Sequence, residues 1–498
     1  MSHFLLTPYD ILGTNGSIAR RLERYELRQE QIDMAEAVNN AFAAPSHLAV
    51  EAGTGVGKSF AYLIPAILQT AGNQNNAETT LEPLNQSNQS NPLNQSEPDE
   101  DDPFYGEALP RSLDPNRELQ QIAAKGISGE PKSVPRAVIS THTISLQEQI
   151  IEKDIPFLRS VLPFEFTAVL VKGRSNYLCL RRLRSVQQKQ ASLIDDRKHR
   201  ELKRLLDWSE QTEDGSKSNL NPEPDWEIWN EICCEAGNCL GKKCQSYPKC
   251  FYALARRRIA NAQILVVNHA LLFSDLAVRM QGGSILPVYN LLVFDEAHTM
   301  EQVAADHLGL SVTQGQIEYH LNRLYNARTQ KGLLSGQNRD QKIPKPMIDA
   351  AQMAVDECFY AAENFFVDLE FWLKQRPGNN GRIREPGIVN NGLSGSIRKL
   401  TERLREVLEQ IKNPEERQEL RSARDRMITF AGDIDVWLLQ GLEDESVYWL
   451  ESTYSGRGKP RISINAVPLD IGPILRKQLF GKISSVVMTS ATLATGNH

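Results

Sequence analysis

Short continuous runs of apolar residues recur along the chain, and each is followed by polar or helix-like sequence. They lie at residues 48–50, 137–140, 264–267 and 291–294. A strand that is buried on both faces is apolar at every position, whereas a half-exposed strand alternates. Strand-like runs that alternate with helical patterns predict an α/β domain with a parallel sheet. We expect two later strands, at residues 462–464 and 485–488, to rejoin this sheet.

Helical periodicity predicts a first helix from about Arg21 through Val38 and a second from about Ile144. Two longer stretches interrupt the strand–helix alternation. Residues 173–258 hold most of the cysteines, and residues 303–443 contain helical patterns at 346–374 and 397–440 around a Gly/Asn-rich link at 378–396. The second stretch therefore predicts a helical subdomain.

A third stretch, residues 71–135, begins with Asn/Gln/Ser repeats and continues through an acidic run at 97–102. It shows little apolar periodicity, so it buries too little surface to offset the entropy of ordering. We expect an unstructured insertion at the protein surface.

Composition is that of a globular protein with two to four domains. The 498 residues are 41% hydrophobic and 24% charged, and no apolar stretch approaches the roughly 20 residues that span a bilayer. The first ten residues lack a basic region followed by an apolar one, so no secretion signal is recognised. We expect a cytoplasmic protein without membrane contact.

A glycine-rich segment directly follows the first apolar run. Residues 51–59 read Glu-Ala-Gly-Thr-Gly-Val-Gly-Lys-Ser and lead into a helical pattern. Such a turn directs backbone N–H groups and a helix N-terminus at phosphates, with the lysine reaching the β- and γ-phosphates and the serine hydroxyl ligating Mg²⁺. The alternative is a flexible glycine-rich turn without a ligand. The residues predicted to bind ATP here are Gly53, Thr54, Gly55, Gly57, Lys58 and Ser59.

Two carboxylates follow the strand at 291–294, in the segment Asp295-Glu296-Ala297-His298. The carboxyl edge of a parallel sheet is where such folds bind ligands. Asp295 would hold Mg²⁺ and Glu296 would orient or deprotonate the attacking water, because hydrolysis needs a metal clamp and a positioned nucleophile. Taken alone, the segment could be an acidic helix start. With the phosphate loop it predicts an ATP-hydrolysing site whose catalytic residues are Lys58, Asp295 and Glu296.

Together these segments resemble a superfamily 2 helicase with a DEAH box, specifically the DinG/XPD group. Arg28 and Gln31 lie where the group has its adenine-recognising motif, and residues 140–143, Asn268-His269 and residues 489–492 match further motifs. The resemblance implies that Gln31 and Arg28 contact the nucleotide. An exposed helical glutamine, and ordinary capping of a helix by Asn268, remain the alternatives for these weaker matches.

Six of the seven cysteines fall between Cys179 and Cys250, and such a cluster in a reducing compartment indicates metal binding sooner than disulfides. One distant cysteine followed by Cys239, Cys244 and Cys250 at spacings of four and five residues departs from the paired spacing of zinc sites. It resembles the four-iron four-sulfur domain of the DinG/XPD group, which implies Cys179, Cys239, Cys244 and Cys250 as ligands. Zinc binding and buried cysteines without a ligand remain alternatives. Cys233, Cys234 and Cys358 are predicted to be non-ligands, with Cys234 as the first substitute.

Basic and aromatic residues surround these cysteines although the net charge of the chain is −6. A cationic groove with stacking aromatics is typical of single-strand binding, while solvated helix faces are the alternative. We expect single-stranded DNA to bind here. The basic residues are Arg181, Arg182, Arg184, Lys242, Lys243, Arg256, Arg257 and Arg258, and the aromatic ones are Tyr177, Tyr247, Phe251 and Tyr252.

The predicted fold is therefore a RecA-like P-loop NTPase domain with a parallel sheet, interrupted by an iron-sulfur insertion and a helical arch insertion. Its parts are residues 1–172, 259–302 and 444–498, and the iron-sulfur and arch domains are residues 173–258 and 303–443. The resemblance implies a DNA helicase that moves 5′ to 3′ on single-stranded DNA in DNA repair or replication, using ATP, Mg²⁺ and one four-iron four-sulfur cluster.

Related helicases continue beyond the motif at 489–492 into a second motor domain, which completes their ATP site. We expect the 498 residues to be nearly inactive alone and to need that second domain, possibly encoded separately. The alternative is a regulatory or remnant fragment that binds ATP and nucleic acid without turnover, and an RNA helicase is a further competitor.

Overall fold

A six-stranded parallel sheet lies at the centre of the computed structural model. The structure describes residues 6–23, 25–72, 135–189, 196–335, 343–376, 378, 380–442, 445–454 and 460–493. The sheet has the strand order β1-β10-β5-β2-β4-β3, and every neighbouring pair is parallel. Its strands are β1 (Leu48–Glu51), β2 (Ala137–Thr141), β3 (Ala168–Leu170), β4 (Ile264–Asn268), β5 (Leu291–Asp295) and β10 (Ser485–Ser490). The predicted RecA-like α/β fold with a parallel sheet is confirmed.

Helices cover both faces of this sheet, which explains why its central strands are apolar throughout. On one face, α2 (Gln29–Ala43) and α3 (Lys58–Ile67) close a core that includes Ile139 and Val293. On the other face, α10 (His269–Met280) and α11 (Met300–Leu308) close a second core. The parallel arrangement brings the carboxyl ends of β1, β2, β4 and β5 to one edge of the sheet.

The remaining helices connect the strands or lie in the two long stretches between them. The helices not yet named are α1 (Pro8–Leu12), α4 (Ile144–Gln149), α5 (Ile155–Val161), α6 (Leu180–Lys189), α7 (Asp196–Gln211), α8 (Trp226–Ile232), α9 (Phe251–Ala260), α12 (Gln314–Leu324), α13 (Lys345–Lys374), α14 (Gly392–Gln410), α15 (Pro414–Leu439) and α16 (Gly472–Leu475). Single π-helical turns span Leu68–Gly72, Ile150–Asp154 and Arg476–Phe480. None of the described helices combines the length and apolar character needed to cross a membrane.

The prediction for residues 462–464 is wrong, because this strand belongs to a second sheet. The antiparallel sheet has the order β6-β9-β8-β7, and its strands are β6 (Leu310–Thr313), β7 (Arg382–Ile383), β8 (Ser446–Tyr454) and β9 (Pro460–Pro468). Ile462, Ile464 and Ala466 are fully buried at alternate positions. Such alternation suits a sheet with one buried face, whereas the parallel strands are buried on both. The predicted strand at 485–488 does join the parallel sheet, between β1 and β5.

The antiparallel sheet and the helices α12 to α15 share one apolar core. The helical pattern predicted at 346–374 is a single helix, α13. The pattern at 397–440 is two helices, and the break falls before Pro414, which stands at the first turn of α15, where proline is tolerated. The helix predicted from about Arg21 is α2, which starts at Gln29.

Residues between β3 and β4 pack around a small core of their own, which includes Leu205, Trp229 and Ile232. Isolated antiparallel bridges join Tyr177 to Ser216 and Leu178 to Cys233. Two distant segments of the chain therefore pair with the residues directly before Cys179. Residues 73–134 of the predicted unstructured insertion lie outside the described residues.

Candidate ATP site and cysteine-rich region

The phosphate loop connects β1 to α3 and depends on two left-handed glycines. Gly55 and Gly57 have φ values of 89° and 86°, a conformation that other L-residues rarely adopt. A Cβ atom at Gly57 would lie 2.1 Å from Nε2 of Gln31, so a side chain at this position would displace the Gln31 amide. Lys58 begins α3, and its Nζ donates to the carbonyl of Ala52 across the loop at 3.3 Å.

The two residues predicted to contact the nucleotide from α2 instead contact the loop. Nε2 of Gln31 donates to the carbonyl of Gly57 at 2.9 Å, and a guanidinium nitrogen of Arg28 donates to the carbonyl of Gly55. Gln31 is 5% exposed, so the exposed-glutamine alternative is wrong. Both side chains therefore hold the turn that would carry the phosphates, and contact with adenine stays a prediction.

The Asp-Glu pair lies at the end of β5, across from the loop. Nζ of Lys58 is 3.5 Å from Oε1 of Glu296, so the loop and the pair meet as predicted. Asp295 is buried, which raises the pKa of its carboxyl, and its Oδ2 accepts from the Tyr62 hydroxyl at 3.0 Å. Its Oδ1 is buried and has no hydrogen-bond partner among the described residues. Glu296 has a φ of 56°, a strained conformation found most often at functional sites.

Strand β10 supplies a hydroxyl to the same carboxylate. Oγ of Ser490 lies 3.3 Å from Oε2 of Glu296 and 2.8 Å from Nδ1 of His298. The His298 ring is itself 3.4 Å from that carboxylate oxygen. Ser490 and His298 therefore hold the Glu296 side chain from one side, and Lys58 contacts it from the other.

Two residues at the site, Tyr62 and Asp154, were missed by sequence reasoning. The hydroxyl of Ser59 is within hydrogen-bonding reach of both Tyr62 and Asp154. Burial raises the pKa of Asp154 to about 6, and its Oδ2 is buried without a hydrogen-bond partner among the described residues. Asp154 closes the π-helical turn Ile150–Asp154, and such turns often occur at functional sites. Neither residue belongs to a recognisable motif, so the sequence carries no signal for them.

Two weaker motifs pack side by side on β2 and β4. Oγ of Ser140 lies 2.7 Å from Nδ1 of His269, and burial lowers the pKa of that histidine to about 4. The side chain of Asn268 accepts from the backbone N–H of Leu271 at 2.9 Å, so it does cap α10, as the capping alternative required. His269, the next residue, is 1% exposed, so its ring is buried at the edge of the sheet.

The cysteine-rich region brings five thiols together. The Cys234 thiol is within hydrogen-bonding reach of the sulfurs of Cys179 and Cys239, and this interaction lowers the pKa values of those two cysteines and raises the pKa of Cys234. Burial raises the pKa values of Cys244 and Cys250, and the nearby sulfurs of Cys179 and Cys239 raise them further. All seven cysteines of the chain are free thiols. Among the described residues, no three cysteine, histidine or acidic side chains are grouped as a ready-made metal site.

Backbone N–H groups are directed at these sulfurs. The N–H of Gly241 donates to Sγ of Cys239 at 3.4 Å. Backbone N–H groups also bond Cys179, Cys244 and Cys250, and for Cys244 and Cys250 they partly offset the burial that raises the pKa values. Cys250 precedes the first turn of α9, where the helix dipole favours negative charge.

Burial divides the predicted DNA-binding surface into two groups. Arg181 and Arg182 are 4% and 5% exposed, and Tyr177 and Phe251 are equally buried, so these four residues cannot bind a strand. The guanidinium of Arg182 donates to the carbonyls of Cys233 and Asn230. The exposed basic residues are Arg184, Lys242, Lys243, Arg257 and Arg258.

Arg181 links the cysteine-rich region to α15. Its Nη2 donates to the backbone and side-chain oxygens of Asn238, both at 2.8 Å, and its Nη1 is 3.7 Å from Oε1 of Glu419. Nearby, Nε2 of Gln418 donates to the carbonyl of Gly237 at 2.6 Å. The loop between Cys234 and Cys239 is therefore bound directly to the helical part of the chain.

Comparisons with known proteins find similar sequences among helicases. A family model described as DEAD_2 matches residues 142–317. The ATP-dependent DNA helicase YoaA of Haemophilus influenzae is 30% identical over 62% of this chain and 38% of that protein, and YoaA of Escherichia coli is 25% identical over 98% and 63%. The 3'-5' exonuclease DinG of Bacillus subtilis is 26% identical over 97% of this chain and 47% of that protein. The chain thus spans less than two thirds of each relative. The chain is similar to DinG-like helicases.

Proposed function

We propose that this chain is the ATP-binding motor part of a DNA helicase that moves along single-stranded DNA, 5′ to 3′ as the family resemblance implies, in the repair or replication of DNA in the cytoplasm. The observation that carries the proposal is the 3.5 Å contact between Lys58 of the phosphate loop and Glu296 of the Asp-Glu pair. A phosphate loop and two carboxylates at one sheet edge are the parts that ATP hydrolysis needs. Two of the relatives above are named ATP-dependent DNA helicases, which supports DNA as the substrate.

Ser59 and Asp295 would hold Mg²⁺. The fit is supported by the Oδ1 atom of Asp295, a buried carboxylate oxygen without a hydrogen-bond partner among the described residues. An unpaired buried charge is costly, and a cation would offset that cost. Bound Mg²⁺ would neutralise charge on the β- and γ-phosphates. The Asp154 carboxyl group contacts the Ser59 hydroxyl and would keep that hydroxyl in place.

Glu296 would orient the attacking water and accept its proton. Its carboxylate is fixed by Ser490 and His298, and a fixed base transfers protons more effectively than a mobile one. Lys58 would reach the β- and γ-phosphates from the first turn of α3, where the loop N–H groups also point. The contact from Ser490 on β10 would make the position of Glu296 sensitive to movements of that strand.

Residues 1–498 tested alone should turn ATP over slowly. By the family resemblance, arginines that neutralise the transition state come from a second motor domain. An arginine finger contributes about 10³ to 10⁵ in rate, which is about 4 to 7 kcal/mol. Lys58 and Glu296 cannot replace that contribution.

We further propose that Cys179, Cys239, Cys244 and Cys250 hold a four-iron four-sulfur cluster. Thiolates are the ligands such a cluster requires, and the N–H groups aimed at these sulfurs and the nearby guanidinium groups would stabilise their negative charge. A bound cluster would cross-link the segments that carry the four cysteines. Cys234 lies between two of the ligands, so it is the residue that would substitute for one of them.

The exposed basic residues near the cysteines would contact the DNA backbone. Arg257 and Arg258 on α9 and Lys242 and Lys243 before Cys244 are exposed. Tyr252 is half-buried, and the Arg174 guanidinium stacks on its ring at 4.4 Å. Contacts to phosphates make binding fall with rising salt, and aromatic rings add stacking with single-stranded bases.

DNA-stimulated ATP hydrolysis tests this proposal. Residues 1–498 are assayed with single-stranded DNA, alone and with the second motor domain of a related helicase added in trans, and Lys58→Ala is the matched control. We expect slow turnover alone, faster turnover with the added domain, and loss of the gain in Lys58→Ala. Robust turnover by residues 1–498 alone, abolished by Lys58→Ala, would refute the need for a second domain. Nucleotide and DNA binding without turnover in any combination would favour a regulatory fragment.

A further inference from the structure

Helix α13 packs one face into the helical core and presents apolar side chains on the opposite face. Ala351, Val355, Cys358 and Leu369 are among its buried residues. The exposed apolar residues, which we call the α13 stripe, are Met353 (64% exposed), Tyr360 (70%), Val367 (54%) and Phe371 (62%). Single exposed apolar residues are common, but four on one helix form a patch of the kind that marks interaction sites.

Helical geometry places these four residues in one line. At about 100° per residue, steps of seven, seven and four positions keep them within about 40° of one another around the helix axis. At about 1.5 Å per residue, the 18 steps from Met353 to Phe371 cover about 27 Å along the axis. That length matches five turns of a partner helix lying alongside.

Carboxylates flank the stripe on both sides. Asp349 and Asp356 lie on one side of the line, and Glu357 and Asp368 lie on the other, within about 60° of it. The sequence from residue 346 to residue 373 contains six acidic residues and no lysine or arginine. The face is therefore apolar along its centre and negative at its edges.

This charge pattern selects among the possible occupants. Phosphates of DNA and anionic lipid headgroups would be repelled by the carboxylates, and so would the same face of a second copy of this chain. A segment with apolar residues along one side and lysines or arginines beside them is complementary in both respects. We propose that the α13 stripe docks a basic amphipathic helix of a partner protein, an interaction beyond the proposed ATP-driven activity.

Binding of a designed probe peptide to the full 498-residue chain tests the proposal. The probe peptide is an 18-residue helix whose leucines are spaced alternately three and four positions apart and are flanked by lysines. The control peptide has the same composition in scrambled order. The protein variant is Tyr360→Ser with Phe371→Ser. Leu439→Ser is the matched control, because Leu439 is 72% exposed at the end of α15, outside the stripe.

We expect the patterned peptide to bind the unaltered chain and Leu439→Ser alike, and the double variant at least about ten-fold more weakly, as truncating central aromatics usually does. Oxidation of Met353 should be rapid in the free chain and slowed by the peptide. Equal binding to the double variant, equal binding of the scrambled peptide, or no binding would overturn the proposal. So would concentration-dependent self-association that the double variant abolishes, or protection of Met353 in the free chain, since the stripe would then be covered by another copy or by the chain itself.

Discussion

Replacing Arg181 with methionine should loosen the contact between the cysteine-rich region and α15. The change keeps an unbranched apolar stem but removes two hydrogen bonds from a charged donor to Asn238, both at 2.8 Å, and the ion pair with Glu419 at 3.7 Å. Breaking a buried charged pair costs about 3 to 5 kcal/mol. The Glu419 side chain is 12% exposed and the ion pair is long, so we take the lower end, about 3 kcal/mol.

Hydrogen exchange is the suitable measurement, because a chain with several cores has no single free energy of unfolding. A loss of about 3 kcal/mol corresponds to roughly 100-fold faster exchange of the backbone amides around residues 235–239 and 415–423. The matched control is Arg403→Met, which removes an exposed pair with Glu406 and should change exchange by less than about three-fold. If Arg181→Met accelerated exchange no more than this control, the claim that Arg181 holds the two parts together would be refuted.

Three further predictions concern the loop, a buried histidine and the thiols. Gly57→Ala should destabilise the loop locally by more than about 1 kcal/mol, measured by hydrogen exchange of the amides around it, because the glycine is left-handed and an added Cβ would displace the Gln31 amide; Gly53→Ala meets open space and should be near neutral. His269 has a pKa of about 4 in the fold against an ordinary 6.5, so the unfolded chain takes up its proton first. The local free energy of opening around His269, measured by hydrogen exchange, should be constant above pH 6.5 and fall by about 3 kcal/mol towards pH 4. It should fall less steeply in His269→Gln. In anaerobically purified protein, Cys239→Ser should lose most bound iron and Cys234→Ser should retain it; the reverse result would exchange their roles.

The parallel sheet could be predicted because its strands are buried on both faces. Continuous apolar runs mark β2, β4 and β5, and few other structures require them. The strand at 462–464 was assigned to the wrong sheet although its alternating Ile-Ser-Ile pattern is typical of a half-exposed antiparallel strand. The start of α2 was placed too early because Arg28 caps it without a side-chain hydrogen bond, and such a cap has no sequence signal.

The residues of the candidate ATP site that could be predicted belong to motifs, in which several functional groups are adjacent in sequence. The residues that were missed are single side chains from other parts of the chain. Lys58, Asp295 and Glu296 meet as their motifs required. Tyr62 and Asp154 join them from helix interiors, where an isolated tyrosine or aspartate resembles any other. The burial of Arg181 and Arg182 in the cysteine-rich region could not be foreseen either, because arginine is rarely buried without partners and those partners lie 48 or more residues away in sequence.

Equilibrium binding of a fluorescent ATP analogue, with and without Mg²⁺, tests the central claim most directly, because it needs neither DNA nor a second motor domain. The account predicts that the analogue binds residues 1–498, that Mg²⁺ strengthens binding, and that Lys58→Ala weakens it at least about ten-fold by removing a charge-assisted contact to phosphate. Asp295→Asn should abolish most of the Mg²⁺ effect while the protein stays folded by circular dichroism. Unchanged affinity in Lys58→Ala, with the same response to Mg²⁺ in Asp295→Asn, would show that these residues do not form the nucleotide site.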